Sequence, residues 1–97
     1  MRWVVVFEDT PPMAGVRARL ESAHLAYLRE HSKEIVLGGG LRDVPGGAYA
    51  GGMWIFEVAS RERAVELIEG DPYYEAEPRP YRLYAWGKAL PDLRVEL

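Results

Sequence analysis

The spacing of apolar residues divides the first half of the chain into predicted strand, helix and strand. The run "RWVVVFE", Arg2–Glu8, is rich in β-branched and aromatic residues and predicts a strand. Apolar residues three and four positions apart then predict a helix from Met13 to Lys33. A second strand is expected at Ile35–Leu37, followed by a glycine run typical of a tight turn and by a loop over Leu41–Ala50.

The second half repeats this order. "GGMWIFEVAS", residues 51–60, predicts a third strand, Arg61–Glu69 a second helix, and Tyr81–Lys88 a final strand. The order β-α-β-β-α-β is the split pattern of the α+β, ferredoxin-like fold, in which one four-stranded antiparallel sheet carries both helices on one face. Because the chain is too short for two cores, we expect a single domain over residues 1–97.

The predicted strands are apolar on both faces, although the two helices cover only one of them. We expect large aromatic side chains on the uncovered face, drawn from Trp3, Phe7, Trp54, Phe56, Tyr84 and Trp86. A monomer that exposed so much apolar surface would associate with other copies. The pattern therefore predicts a homodimer in which two sheets pack face to face as an α+β barrel, or a larger assembly that covers the same face.

Composition and charge narrow the classes of function. The chain has no cysteine, which excludes disulfides, thiolate catalysis and cysteine-based metal sites and fits a cytoplasmic protein. Twelve basic residues stand against 15 acidic ones without a basic block, so we expect no nucleic-acid partner. The N-terminus "MRWVVVFED" fits neither a signal peptide nor a membrane span. No motif calls for a metal or an organic cofactor.

One histidine lies in the apolar stripe of the first predicted helix. In "RLESAHLAYLREHSKE", His24 stands four residues from both Leu20 and Leu28, on the face directed toward the core. A core imidazole is satisfied either by a backbone carbonyl or by a carboxylate. Asp71 is the candidate carboxylate because it follows the second helix, although an aspartate before proline is also common as a turn residue.

A histidine paired with a carboxylate could carry acid–base chemistry. The carboxylate fixes the tautomer of the ring, and the other nitrogen is then able to take a proton from a phenol, an enol or an acidic C–H. Tyr73 would place a hydroxyl beside such a pair or simply pack, and Gly39, Gly52 and Trp54 are further candidates for lining the pocket. His31 lies two helical turns after His24, too far along the axis to share a metal ion.

Three of these motifs together resemble the YciI-like, or YCII-related, family of small proteins. They are "AHLAYL", "LGGG" and "DPYY", in this order along the chain. The resemblance implies the dimeric α+β barrel fold, a catalytic pair of His24 and Asp71, and a relation to members that act as dehydrochlorinases on chlorinated hydroquinone-type aromatics. Two positions depart from the family pattern. Glu21 stands where many members have an arginine, and Gly52 where many have a serine.

These observations predict a small cofactor-independent enzyme, a lyase or isomerase related to the dehydrochlorinases, that acts on a small aromatic or enolisable metabolite. The alternative is a non-catalytic module that binds a small ligand or a partner protein in the same cleft. A third reading is a dimerisation scaffold whose histidine is capped by backbone. The sequence leaves the substrate and the reaction open, because with Glu21 and Gly52 the expected pocket lacks the arginine, an anion-binding donor, and the hydroxyl of the family pattern.

Overall fold

A computed structural model describes residues 1–96 and shows the ferredoxin-like fold. Four strands form one sheet in the order β2-β3-β1-β4, and every neighbouring pair is antiparallel. The single domain predicted over residues 1–97 includes Leu97, which lies outside the described residues. The elements are β1 (Arg2–Glu8), α1 (Met13–Glu30), β2 (Ile35–Arg42), β3 (Tyr49–Glu57), α2 (Arg61–Gly70), α3 (Pro72–Ala76) and β4 (Tyr81–Ala85).

The helices begin and end for identifiable reasons. Ser60 caps α2 by accepting a hydrogen bond from the backbone N–H of Arg63 at 3.2 Å. The first helix ends at Glu30, three residues before the predicted Lys33. Here the chain turns instead of continuing, and the carbonyl of His31 accepts a hydrogen bond from the N–H of Ile35 at 2.8 Å. This turn leads directly into β2, which begins at Ile35.

The glycine run that the sequence assigned to a turn lies inside β2. This strand continues to Arg42, and Gly38 stands opposite Trp54 on β3. A Cβ on Gly38 would approach the Trp54 ring to 2.9 Å, and a Cβ on Gly40 would collide with the Tyr49 ring. Glycine is therefore required here because aromatic side chains of β3 lie across the backbone of β2. The predicted loop shrinks accordingly to residues 43–48.

The main core lies between the sheet and the helices, and it holds most of the aromatics that we expected on the open face. Phe7, Trp54 and Phe56 are buried there, and Trp3 packs against the same cluster. The expectation was wrong for these four residues because alternation shows which residues share a face without showing which face the helices cover. Only Tyr84 and Trp86 of that set are exposed. The helices complete this core with Ala64, Leu67, Ile68, Tyr27 and Leu28.

The uncovered face of the sheet is mainly aliphatic. Its exposed apolar residues are Val6 on β1 and Leu37 and Leu41 on β2, and Tyr84 stands beside them on β4. β4 ends at Ala85, earlier than the predicted Lys88, although the N–H of Trp86 still donates to the carbonyl of Arg2 at 3.0 Å. Within residues 1–96, no helix has both the length and the apolarity to cross a membrane.

Candidate functional site

His24 and Asp71 meet where α1 packs against the junction of α2 and α3. The ring nitrogen Nδ1 of His24 lies 2.7 Å from Oδ1 of Asp71. The same oxygen accepts a hydrogen bond from the backbone N–H of Tyr73 at 3.2 Å, so Asp71 also caps α3. Asp71 is fully buried, and its second oxygen has no protein partner. A charged or polar role for this residue is therefore expected, since burial of an idle carboxylate is costly.

The ring of Tyr73 fixes the plane of the imidazole. The two rings are stacked with centroids 3.8 Å apart and planes 8° apart. Tyr73 is buried against Met13 and Val16 of α1, and burial raises the pKa of its hydroxyl, which stays protonated at neutral pH. The indole of Trp54 lies 6.3 Å from the His24 ring and forms a second wall. The imidazole thus has one oriented nitrogen and two aromatic neighbours.

The sequence allowed either a backbone carbonyl or a carboxylate as the partner of the His24 ring. Nδ1 of His24 is bound to a side-chain carboxylate rather than to a backbone carbonyl. An ionised Asp71 accepts hydrogen bonds and does not donate them, so the Nδ1 proton of His24 belongs to this contact. The lone pair of the neutral ring then resides on Nε2. Chemically, this arrangement provides a base whose tautomer is set by a buried acid.

A second group of charges lies on the same side of the sheet. Asp9, directly after β1, binds both Arg17 of α1 and Arg79, which precedes β4. Arg17 donates to Asp9 from Nε and Nη2 at 3.1–3.2 Å and from Nη2 to the carbonyl of Gly51 at 3.1 Å. Arg79 donates from Nη1 to Asp9. Burial lowers the pKa of Arg79 and the neighbouring Asp9 opposes this, and the group remains a cation at neutral pH.

Aromatic rings connect the two groups. The guanidinium of Arg17 lies 5.7 Å from the ring centre of Tyr73, the residue stacked on His24. The guanidinium of Arg79 lies 4.4 Å above the ring of Phe7, and that ring contacts Trp54 edge to face at 5.1 Å. The dyad and the charged cluster therefore share one aromatic wall under the helices.

The structure brings together most, but not all, of the residues singled out from the sequence. His24, Asp71, Tyr73 and Trp54 form one site. Gly52 adjoins Arg79, because a Cβ at this position would lie 3.6 Å from Nη2 of that residue. Gly39 lies on the opposite face of the sheet, in register with Met53, and does not line this site.

Two further expectations concern polar residues of α1. His31 caps the end of α1 with its ring 4.4 Å from Tyr27, away from the dyad. Glu21 is exposed, and Arg17, one turn earlier, is the arginine of α1 that reaches the site. Across residues 1–96, no three His, Asp or Glu side chains are grouped closely enough to hold a metal ion.

Sequence reasoning missed Asp9, Arg17 and Arg79. Asp9 and Arg79 carried a weak signal, since Asp9 follows the first predicted strand and Arg79, between two prolines, comes just before the last one. Arg17 carried a clearer one, because it precedes His24 by two helical turns and so shares its face. No pattern indicated that Asp9 would bind both arginines, since this contact depends on how three separate elements meet.

Comparisons with known proteins agree with this architecture. The chain is similar to the structure of 5-chloro-2-hydroxyhydroquinone dehydrochlorinase (TftG) from Burkholderia phenoliruptrix in complex with 2,5-dihydroxybenzoquinone, with 26% sequence identity and a TM-score of 0.79. The match covers 90% of this chain and 94% of that one. No functionally curated protein matches the sequence. The family model of the YCII-related domain matches residues 1–86, and the chain belongs to this family.

Proposed function

We propose that this protein is a small enzyme that performs acid–base chemistry with His24 as its catalytic residue and Asp71 as the residue that positions it. The observation that carries the proposal is the 2.7 Å contact between His24 Nδ1 and a fully buried Asp71. A carboxylate with no access to solvent holds the imidazole in one orientation and stabilises the positive charge that the ring gains on protonation. Nε2 is then the atom that takes the proton.

The reaction class follows from what a single oriented base can do. Nε2 removes a proton from a hydroxyl or a C–H bond of the substrate, and the electron pair of that bond moves into the ring or the enol system. Return of the proton to another atom gives an isomerisation. Departure of a halide with its electron pair gives an elimination, with the net loss of one hydrogen halide. The stacked Tyr73 ring, at 3.8 Å, favours the imidazolium during either reaction.

The substrate class that we propose is a small flat hydroxylated aromatic or quinone-type molecule. The side chains next to the dyad are aromatic, with Tyr73 stacked on His24 and Trp54 beside it. The structural neighbour is named as a dehydrochlorinase of 5-chloro-2-hydroxyhydroquinone and was captured with 2,5-dihydroxybenzoquinone. These names support a ring of similar size and polarity here.

Chloride release from 5-chloro-2-hydroxyhydroquinone tests the proposal directly. We expect turnover by the wild-type protein and its loss in His24→Asn, whose amide still offers an N–H donor to Asp71 but no comparable base. His31→Asn is the matched control, because it removes the other histidine of α1, which lies away from the dyad. Both variants should keep the melting temperature of the wild type within a few degrees.

Two results would contradict the proposal. Turnover that survives in a folded His24→Asn variant would show that another group moves the proton. Saturable binding of hydroxyquinones by the wild type without any chemical change would favour the alternative function, a ligand-binding module on the same fold. The aromatic rings beside His24 fit both functions, and product analysis separates them.

A further inference from the structure

The register of the sheet places Asp9 and Arg79 opposite each other on the side of the helices. The N–H of Glu8 donates to the carbonyl of Pro80 at 3.0 Å, so the next residues outward along the two strands face one another. Asp9 and Arg79 are two positions from Phe7 and Tyr81, and therefore point to the same face. Prolines on both sides of Arg79 favour an extended backbone there, which directs its side chain under the helices.

Asp9, Arg17 and Arg79 together carry a net charge of +1, which Asp71, the buried partner of His24, partly offsets from outside this cluster. Asp9 alone pairs with Arg17 and Arg79, and the exposed fractions of the three side chains are 11%, 15% and 3%. Charges that are so little exposed are weakly screened and act over longer distances than surface charges. The excess charge lies on the aromatic wall that the cluster shares with His24, so it favours a ligand with negative charge at this place.

The two arginines also have N–H groups that Asp9 does not use. The hydrogen bonds of Arg17 run from Nε and Nη2, which leaves the Nη1 edge. Arg79 binds Asp9 through Nη1, its Nε is buried without a partner among the described residues, and its Nη2 is directed to Gly52. A buried donor without an acceptor costs free energy, which an anionic oxygen bound there would recover.

We propose that Arg17 and Arg79, held together by Asp9, bind an ionised hydroxyl oxygen of a flat ring whose reacting atom lies at His24. This inference rests on the proposed function, which places the reacting atom of the ligand at His24. It adds that the site prefers a ligand with a negative charge. Removal of a proton at His24 sends negative charge into the conjugated ring, and the two guanidinium groups stabilise the share of that charge on the oxygen they bind through charge-assisted hydrogen bonds. Uncharged ethers of the same ring lack this interaction.

The same geometry shows what a serine at residue 52, the residue of the family pattern, would meet in this chain. A serine there would begin 3.6 Å from Nη2 of Arg79 and would place its hydroxyl beside the guanidinium. With Gly52 present, Arg79 is the hydrogen-bond donor at this point of the sheet. The donor thus comes from the segment before β4 rather than from β3, and it carries a full positive charge.

Calorimetric titration with two quinones of the same ring tests the subsite. The first is 2,5-dihydroxybenzoquinone, whose hydroxyls ionise by neutral pH, and the second is its uncharged dimethyl ether. We expect the wild type to prefer the ionised quinone and Arg79→Gln to weaken that affinity about tenfold or more, as for one lost charge-assisted hydrogen bond. The affinity for the ether should not change. Arg82→Gln is the control, because Arg82 is exposed on β4, the strand that follows Arg79.

Arg79→Lys provides a second test if Arg79→Gln does not fold. Lysine keeps a charge for Asp9 but lacks the guanidinium fork, so the ionised quinone should still bind several-fold more weakly than to the wild type. Equal affinity of the wild type for both quinones, or binding of neither at millimolar concentration, would overturn the proposal. So would unchanged affinity for the ionised quinone in folded Arg79 variants.

The two proposals fail in different ways. His24→Asn should retain the preference for the ionised quinone, because His24 takes no part in the charged cluster. Turnover that persists in His24→Asn would contradict the acid–base proposal, whereas quinone affinity would still depend on Arg79. If affinity for the ionised quinone does not depend on Arg79 while turnover still depends on His24, only the proposal of the arginine subsite is contradicted.

Discussion

The hydroxyl of Tyr27 occupies the space where a side chain on Gly70 would begin. A Cβ on Gly70 would lie 2.7 Å from the Tyr27 hydroxyl oxygen, and this hydroxyl donates a hydrogen bond of 2.7 Å to the carbonyl of Leu67. The contact joins α1 to the last turn of α2, directly before Asp71. Since His24 lies on α1, less than one turn before Tyr27, the same contact sets the distance between the imidazole and its carboxylate.

Gly70→Ala should therefore destabilise the protein and disturb the dyad. The added methyl group displaces the Tyr27 hydroxyl, and overpacking of this kind costs about 1–3 kcal/mol. Urea denaturation measures the loss, and turnover should fall with it. Gly15→Ala is the control, because Gly15 is exposed in α1 and alanine there should stabilise the helix by about 0.5–1 kcal/mol. A Gly70→Ala variant as stable as the wild type would contradict this account of the contact.

The stability of the protein at alkaline pH provides a second test of the Tyr27 contact. Burial, reinforced by the negative charge of Asp71, raises the pKa of Tyr27 from 10.0 to about 12. Because the folded pKa exceeds the unfolded one, the stabilisation is fully present below pH 10 and is lost as the pH rises toward 12. The difference in unfolding free energy between wild type and Tyr27→Phe should be constant below pH 10 and decrease above it. A difference that stays constant to pH 12 would exclude this role.

The fold was predictable where the local pattern and the tertiary structure agree. The first strand and the order of the major elements were read from apolar spacing, whereas β2 was cut short at Leu37. Glycine disfavours strands by itself, and the reason for glycine in β2 lies on β3, in the rings of Trp54 and Tyr49. Likewise, α3 is a short helix that begins with Asp71 as its cap and Pro72 as its first residue. Its five residues are too few to show a helical spacing of apolar positions.

The candidate site was predictable only in part. His24 was visible because an imidazole in an apolar stripe is unusual, and Asp71 because it follows the second helix. Arg79 gave no comparable signal, since a charged residue beside a strand is ordinarily exposed. Its burial follows from the register between β1 and β4 and from the position of Asp9, both of which are properties of the assembled sheet.

Asp71→Asn should separate the structural role of this residue from its role at His24. The amide oxygen still accepts from the N–H of Tyr73, so α3 keeps its cap, but the charge facing the imidazole is gone. We expect a loss of about 1–3 kcal/mol in urea denaturation, together with a fall in kcat at temperatures where the variant is folded. Ser60→Ala, which removes only the cap of α2, should cost about 1 kcal/mol and leave kcat unchanged. Equal kcat in the two variants would refute the positioning role.

The stacked ring of Tyr73 should be detectable in solution. An aromatic ring 3.8 Å above the imidazole shifts the carbon-bound ring protons of His24 upfield in NMR spectra. Tyr73→Phe should retain both this shift and turnover, because it keeps the ring. Tyr73→Leu should lose the shift and reduce turnover, since the imidazole is then free to rotate out of plane. An unchanged shift in Tyr73→Leu would show that the stack does not form in solution.

The uncovered face of the sheet leads to a prediction about assembly. Leu37 and Leu25 have nearly equal exposed fractions, 52% and 51%, but Leu37 lies on the open face of the sheet and Leu25 on the solvent side of α1. We expect a homodimer in which two open faces pack together, with Leu37 inside the interface. Leu37→Glu should then give monomers in analytical ultracentrifugation, and Leu25→Glu should leave the dimer intact.

Burial of a charge is what distinguishes these two substitutions. A glutamate at either position is tolerated in a monomer, because both side chains are half exposed there. In a dimer through the open face, the glutamate at residue 37 would be taken out of water near its own copy across the two-fold axis, and both desolvation and repulsion oppose association. A dimer that dissociates in Leu25→Glu but persists in Leu37→Glu would place the interface on the helices instead. A monomeric wild type would show that the open face remains solvated.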